Sequence, residues 1–210
     1  MAEGKFITFE GPDGSGKTTV SKAVCEALTE LGYPVRYTRE PGGSAIAESI
    51  RDIILDPANT GMDARCEALL YAASRAQHLK DIVLPALEKG THVICDRFVD
   101  SSMAYQGYAR GIGAEPVWEI NRFAISGHMP VKTIFLDVPA ELGLERVNER
   151  RRAADRLDSE GIAFHLAVCE GYRKVVESAS DRMVVIDASK PLDTVIAESL
   201  AAVREILDGD

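Results

Sequence analysis

One stretch of eight residues constrains this chain more than any other: Gly11-Pro12-Asp13-Gly14-Ser15-Gly16-Lys17-Thr18. It matches the spacing G-x-x-x-x-G-K-[ST] of a phosphate-binding loop at every fixed position. Its flanks agree, because residues 5–10 read as a strand and residues 19–31 as a helix. The chemistry needs these residue types at this spacing. Glycines carry no Cβ, so their backbone N–H groups can converge on phosphate oxyanions. The helix that follows turns its positive end toward the same anions. Lys17 supplies a point charge for the terminal phosphates, and Thr18 a hydroxyl for a divalent ion.

A strand–loop–helix unit of this kind needs a parallel sheet to sit in, and the remaining sequence supplies one. Apolar strands are expected at 35–38, 92–96, 133–138 and 183–187. Helices are expected between them, at 44–55, 64–89, 101–106, 115–126, 140–151, 164–176 and 191–207. The fold class is therefore α/β, a five-stranded parallel sheet with helices on both faces. Gly32 closes the first helix and Pro34 prevents its resumption; Ser44 is placed to cap the next one; Pro85 kinks or divides the long helix at 64–89. A chain of 210 residues is a single domain, 1–210.

The formal net charge of −9 argues against a nucleic-acid-binding surface, so cations for phosphate binding must be concentrated locally. Cys25, Cys66, Cys95 and Cys169 form no C-x-x-C pair and have no histidine at metal spacing, which argues against a zinc site. Reduced thiols suit a cytoplasmic location. No apolar run reaches membrane-spanning length, and no secretory signal is apparent at the N-terminus.

Acidic and basic residues fall where a phosphate site would use them. Asp96 ends an apolar strand, where a carboxylate can hold Mg²⁺ together with Thr18. Arg97 follows at once, where a water-activating ATPase would more often carry Glu; an arginine suits clamping a second phosphate. Arg39, Arg51, Arg75 and Arg97 all stand near strand ends or on helices expected to line the cleft. Phosphoryl transfer between two anions needs such an array. Arg150, Arg151 and Arg152, with Arg156 shortly after, form the densest basic cluster. They read either as a solvated helix end or as a short mobile lid at about 149–161 whose arginines reach the transferring phosphate, and the pattern favours the lid. By periodicity alone Tyr71, Tyr105 and Phe98 are core residues. His78, His92, His128 and His165 make no catalytic spacing.

Taken together, several stretches resemble the thymidylate kinase family. They are the segment from Phe9 through Thr19, Thr38-Arg39-Glu40-Pro41-Gly42-Gly43, Tyr71-Ala72-Ala73-Ser74-Arg75, Asp96-Arg97-Phe98, Ser101-Ser102-Met103-Ala104-Tyr105-Gln106-Gly107 and Asp155-Arg156. The resemblance spans nearly the whole chain in order, and it implies the following. The fold is that of P-loop NTPases. The activity is transfer of phosphate from ATP to dTMP with Mg²⁺, by a homodimer. ATP phosphates are bound by Gly11, Pro12, Asp13, Gly14, Ser15, Gly16, Lys17, Thr18 and Thr19, and the metal by Thr18 and Asp96. The dTMP site comprises Asp13 at the 3′-hydroxyl, Arg39, Arg51 and Arg97 around the monophosphate with Glu40 beside them, Tyr71 stacked on thymine, Arg75, Ser102 and Gln106 at the base edge, and Tyr105 against the sugar. For Tyr71 and Tyr105 this replaces the core reading. With Ser15 inside the loop and a basic lid, the chain is similar to members that carry the catalytic arginine in the lid, a class common in bacteria. Lys17, Arg97, Arg150, Arg151, Arg152 and Arg156 are then the catalytic candidates, with the lid register left open. Another small-molecule P-loop kinase is the nearest alternative. A guanine-nucleotide switch is disfavoured by the absence of N-K-x-D.

Overall fold

The computed structural model describes residues 3–149, 156 and 160–209. Its centre is a five-stranded, all-parallel sheet in the order β2-β3-β1-β4-β5. The strands are β1 (Phe6–Glu10), β2 (Val35–Arg39), β3 (His92–Asp96), β4 (Lys132–Asp137) and β5 (Met183–Asp187). Burial follows position. All five residues of the central β1 are buried, whereas the edge strands β2 and β5 keep several partly or fully exposed side chains. A central strand is covered on both faces, so even its polar Thr8 and Glu10 are buried, whereas an edge strand keeps one side open.

The helices are α1 (Lys17–Glu30), α2 (Ala45–Leu55), α3 (Ala64–His78), α4 (Leu84–Glu88), α5 (Val99–Ser102), α6 (Ala114–Ile125), α7 (Ala140–Glu149), α8 (Ile162–Ser178) and α9 (Leu192–Asp208). Because successive strand side chains point to opposite faces, β1 feeds two cores. Ile7 and Phe9 pack with Val20, Val24 and Leu28 of α1 and Val195, Val203 and Leu207 of α9. Phe6 packs with Val83, Val93, Phe98, Val99 and Ile125 on the other side.

Local punctuation follows the expectations in part. At the end of α1, Gly32 adopts φ +88°, and the N–H groups of Gly32 and Tyr33 return to the carbonyls of Thr29 and Leu28, both at 3.0 Å, so a left-handed glycine closes the helix. Ser44 stands at the start of α2, but its hydroxyl makes no capping bond. Glu48 in the first turn accepts the Gly43 N–H at 2.6 Å instead. Pro85 does divide the long helix. A wide π-turn at Leu79–Val83 separates α3 from α4, since a proline has no N–H to return to the preceding turn. The short helix expected at 101–106 is instead α5 running into a π-helical stretch, Met103–Ala109. Helix α8 crosses it so closely that a Cβ on Gly171 would lie 2.9 Å from the Ala104 carbonyl oxygen.

The sheet order positions the site. In register, Phe9 pairs with Asp96, and Asp96 with Arg39. The carboxyl ends of β1, β3 and β2 therefore open side by side, and the loops leaving them meet at one edge. Strand order reverses at β1, with β3 on one side and β4 on the other, and ligands of open α/β sheets collect at such a crevice.

Candidate active site

The loop from Gly11 to Thr18 leaves β1 and enters α1 as expected. Gly14 has φ +78°, and a Cβ there would lie 2.0 Å from the carbonyl oxygen of Gly143 on α7, so only glycine fits. Lys17 is buried and its Nζ donates to the Pro12 carbonyl at 2.8 Å. Burial and the nearby Arg97 guanidinium push the Lys17 ammonium down to about 8, against the opposing pull of Asp13, Asp96 and Glu10.

Thr18 and Asp96 come together from sequence positions far apart. The threonine hydroxyl donates to Asp96 Oδ2 at 2.5 Å. Among the described residues, the buried Asp96 Oδ1 has no hydrogen-bond partner. An orphaned carboxylate oxygen is costly unless something occupies it. A hydroxyl and a carboxylate are hard oxygen donors, and Mg²⁺ characteristically takes one or two protein ligands and completes its shell with phosphate oxygens and water. The pair fits that ion.

Next to the loop, Arg97, Asp13 and Tyr105 lock together. Arg97 Nη2 donates to Asp13 Oδ1, the Tyr105 hydroxyl donates to Asp13 Oδ2 at 2.7 Å, and the Arg97 guanidinium lies over the Tyr105 ring at 5.1 Å. Burial alone would raise the Asp13 carboxyl, but Arg97, Lys17 and the Tyr105 bond outweigh it and hold the group at about 2. Arg97 adopts φ +74°, a strained conformation for a residue with a side chain. Glu10 over-determines that turn from beneath. It accepts the N–H of Phe98 at 2.6 Å, the hydroxyl of Ser101 at 2.6 Å and the hydroxyl of Tyr172 at 2.9 Å. Its burial and the Asp100 charge push its carboxyl up to about 7, against the Ser101 bond, Arg97 and the Phe98 N–H.

Arg39 and Arg51 converge on the turn that follows β2. Both donate to the Pro41 carbonyl, at 2.6 and 3.0 Å, and Arg39 also pairs with Glu48 at 2.9 Å. A Cβ on the adjacent Gly43, where φ is +92°, would lie 2.6 Å from the His78 ring, so the turn is packed directly against α3.

Arg75 is 1 % exposed and stands at the centre of a third cluster. Nε donates to Glu40 at 2.7 Å, Nη1 to Ser102 at 3.1 Å and to Asn121, and Nη2 to the Phe98 carbonyl at 2.9 Å. Among the described residues, four of the five guanidinium donors are thus used, and one Nη2 hydrogen is left. Tyr71, one turn before Arg75 on α3, is half-buried. Gln106, one turn after Ser102, donates through Nε2 to Glu67 at 2.8 Å.

Two expectations need correction. Glu40, expected beside the phosphate-facing arginines as a dTMP-site residue, does not present its carboxylate to that site. Its oxygens are bound by Arg75 and by His78 Nδ1 at 2.9 Å, inside the core, so it acts on the site by orienting Arg75. Arg156, grouped by sequence with the catalytic lid arginines, is buried: Nε donates to the Ile54 carbonyl at 2.8 Å and Nη2 to Glu67. A guanidinium inside the protein is drawn to a buried carboxylate, and Glu67 supplies one. Arg150, Arg151 and Arg152, and most of the span 149–161, lie outside the described residues.

Sequence reasoning also missed Glu10, Glu67, His78, Asn121, Tyr172 and Arg146. The first five are buried partners of site residues; Glu10 lies in the matched segment 9–19, and the other four carry no motif of their own. Arg146 lies within α7 and is tied to the site through the segment after β5. Its Nη1 donates to the Ala188 carbonyl at 2.9 Å, just past β5, and it lines a cavity of about 460 Å³ with Gly14, Gly16, Thr19 and Lys190. The segment after β5 is a strand's carboxyl end, the same signal that marks the other loops.

Comparison with known proteins agrees with this geometry. The family model described as thymidylate kinase matches residues 9–198. Thymidylate kinases from Geobacillus sp. (strain WCH70) and Geobacillus thermodenitrificans are 53 % and 54 % identical to the chain; the alignments cover 99 % and 98 % of it and 99 % and 92 % of those proteins. The crystal structure of thymidylate kinase from Ehrlichia chaffeensis superposes with a TM-score of 0.78 at 32 % identity, covering 96 % of this chain and 99 % of that one. With the phosphate loop, the Arg97–Asp13–Tyr105 lock and the Arg75 cluster gathered at one sheet edge, the chain belongs to the thymidylate kinase family.

Proposed function

We propose that the chain transfers the γ-phosphoryl group of ATP to the 5′-phosphate of dTMP, giving ADP and dTDP for nucleotide biosynthesis. The observation that carries this reading is the lock of Arg97 and Tyr105 on Asp13, inside the phosphate loop itself. It joins a donor-phosphate cradle to a second site whose arginines suit a monophosphate. A dTMP phosphate oxygen attacks the γ-phosphorus in line as the bond to the β–γ bridging oxygen breaks, and the electron pair leaves with ADP. A phosphate monoester is largely ionised near neutral pH, so no strong base is required. Catalysis is then positioning and charge neutralisation. Lys17 serves the β- and γ-phosphates and Arg97 the transferring group, while Arg39 and Arg51 hold the acceptor phosphate. Thr18 and Asp96 would hold Mg²⁺, which neutralises phosphate charge when bound. Asp13 accepts from the 3′-hydroxyl, Tyr71 stacks on the base, Tyr105 crowds the sugar, and Arg75, Ser102 and Gln106 meet the base edge. The cavity beside Arg146 suits the adenosine of ATP. A coupled assay of dTMP against UMP, AMP and GMP tests the substrate; equal turnover of any of these would overturn it.

Residues 149–161 are the lid of a single domain, 1–210. Replacing Arg150, Arg151 and Arg152 together with Ala is expected to lower kcat far more than it raises the KM for dTMP, because their charge matters in the transition state. Arg156→Ala is expected to lower the melting temperature as well, since it removes a buried partner of Glu67. If the triple variant keeps its kcat, these residues are a solvated helix end.

Lys17 also makes ATP use pH-dependent. Its charged form prevails below about 8, so kcat/KM for ATP is expected to fall as pH rises through that value. Initial rates from about pH 6 to about pH 10 check this, and a flat profile would remove Lys17 from the phosphates.

A homodimer is supported by exposed apolar residues on three helices packed in succession: Ile46 and Ile53 of α2, Leu69 of α3 and Phe123 of α6, the last 91 % exposed. Sedimentation velocity tests it. Four free thiols support a cytoplasmic location. Among the described residues no helix is long and apolar enough to cross a membrane.

A further inference from the structure

Glu67, in the first turn of α3, is 1 % exposed and is bound from three directions. Oε1 accepts from Gln106 Nε2 at 2.8 Å and Arg110 Nε at 3.3 Å; Oε2 accepts from Arg110 Nη2 at 3.1 Å and from Arg156 Nη2. Arg110 is itself seated by Glu160 at 2.6 Å and by the Phe164 ring, 4.5 Å away. Burial would push the Glu67 carboxyl up, but its bonds to Gln106, Arg156 and Arg110 hold it below the usual carboxylate range. Glu67 is therefore ionised, and an ionised carboxylate only accepts.

That has a consequence for Gln106. An amide can turn over and exchange its oxygen for its nitrogen at little cost in shape. Facing an obligate acceptor, the Gln106 nitrogen must stay on the Glu67 side, and the amide oxygen is turned the other way. Gln106 follows Ser102 by one turn, and Ser102 receives Nη1 of Arg75. The residue one turn before Gln106 thus borders Arg75. Thymine offers an N3–H donor beside its O4 acceptor, whereas cytosine offers an N3 acceptor beside an amino donor.

Resting on the function proposed above, we propose that Glu67 is a positioning residue for base specificity. It holds the Gln106 amide with its oxygen toward N3–H of the pyrimidine, so that thymine and uracil are matched and cytosine is opposed. Arg156 and Arg110 contribute by keeping Glu67 charged. Arg156, at the lid, thereby acts on substrate choice through Glu67.

Glu67→Gln tests this, because a neutral amide at 67 can donate or accept and frees Gln106 to turn. The kcat/KM ratio of dTMP to dCMP is expected to fall at least about tenfold, while the ratio of dTMP to dUMP changes by less than about twofold. A purely structural role would depress all three substrates together, and an unchanged dTMP-to-dCMP ratio in folded E67Q would overturn the proposal. Gln106→Leu is the control and is expected to lose the same discrimination; if it does not, Gln106 carries no base reading and the proposal fails. Wild-type protein that uses dCMP as well as dTMP would instead overturn the substrate reading itself. If E67Q does not fold, the side-chain amide protons of Gln106 in wild-type protein decide. One proton protected from exchange with and without dTMP is expected; protection that arises only on adding dTMP would place the nitrogen toward the base and overturn the proposal.

Discussion

Lys17→Ala is expected to leave a folded protein with kcat lowered by roughly 10²–10³, equivalent to about 3–4 kcal/mol of lost transition-state stabilisation. The ammonium is buried in the loop and held at 2.8 Å from the Pro12 carbonyl, so its position depends on the loop rather than on solvent. Removing it deletes the one lysine that the loop spacing places at the terminal phosphates. The fold should survive, because the same ammonium is desolvated at a cost that alanine does not bear. Circular dichroism and a coupled ADP-release assay measure the two quantities. A folded variant with near-normal kcat would remove Lys17 from the reaction.

Substrate choice should show the larger effect. The expected order of kcat/KM is dTMP, then dUMP, then dCMP. Loss of one methyl group is worth about 1–3 kcal/mol, whereas a mismatched hydrogen-bond pattern in a site built for another is rejected by about 10⁴–10⁵. Four donors of Arg75 are already committed to Glu40, Ser102, Asn121 and the Phe98 carbonyl. On the function proposed above, the remaining Nη2 hydrogen is the one that would meet thymine O4. Arg75→Ala should compress the gap between dTMP and dCMP mainly by losing dTMP. It should also lower the melting temperature, because it strips a buried Glu40 of its cation. The kcat/KM ratio, rather than activity alone, is therefore the measurement. An unaltered ratio in a folded variant would place base selection elsewhere.

The phosphate loop, the five strands and the strand-end residues Arg39, Asp96 and Arg97 were legible in the chain because their signals are local. Turn glycines, apolar runs and the residue at a strand's carboxyl end are each set by neighbours within a few positions. The glycine that closes α1 and the proline that divides the helix after α3 are of the same kind. The π-helical course of Met103–Ala109 was not legible, because it answers to α8, which packs on it from more than fifty residues away in sequence.

What the sequence by itself determined is the chemistry on offer: a nucleotide-phosphate cradle, a hydroxyl and a carboxylate for a metal, and a supply of arginines. Only the tertiary structure decided which partner each arginine meets. Arg75, Arg97 and Arg156 look alike as letters, yet one is boxed in by Glu40 and Asn121, one is locked to Asp13, and one is buried against Glu67. The reason is electrostatic. A guanidinium removed from water settles on whichever carboxylate the fold brings within reach, and Glu40, Asp13 and Glu67 reach these arginines across 35, 84 and 89 residues of chain.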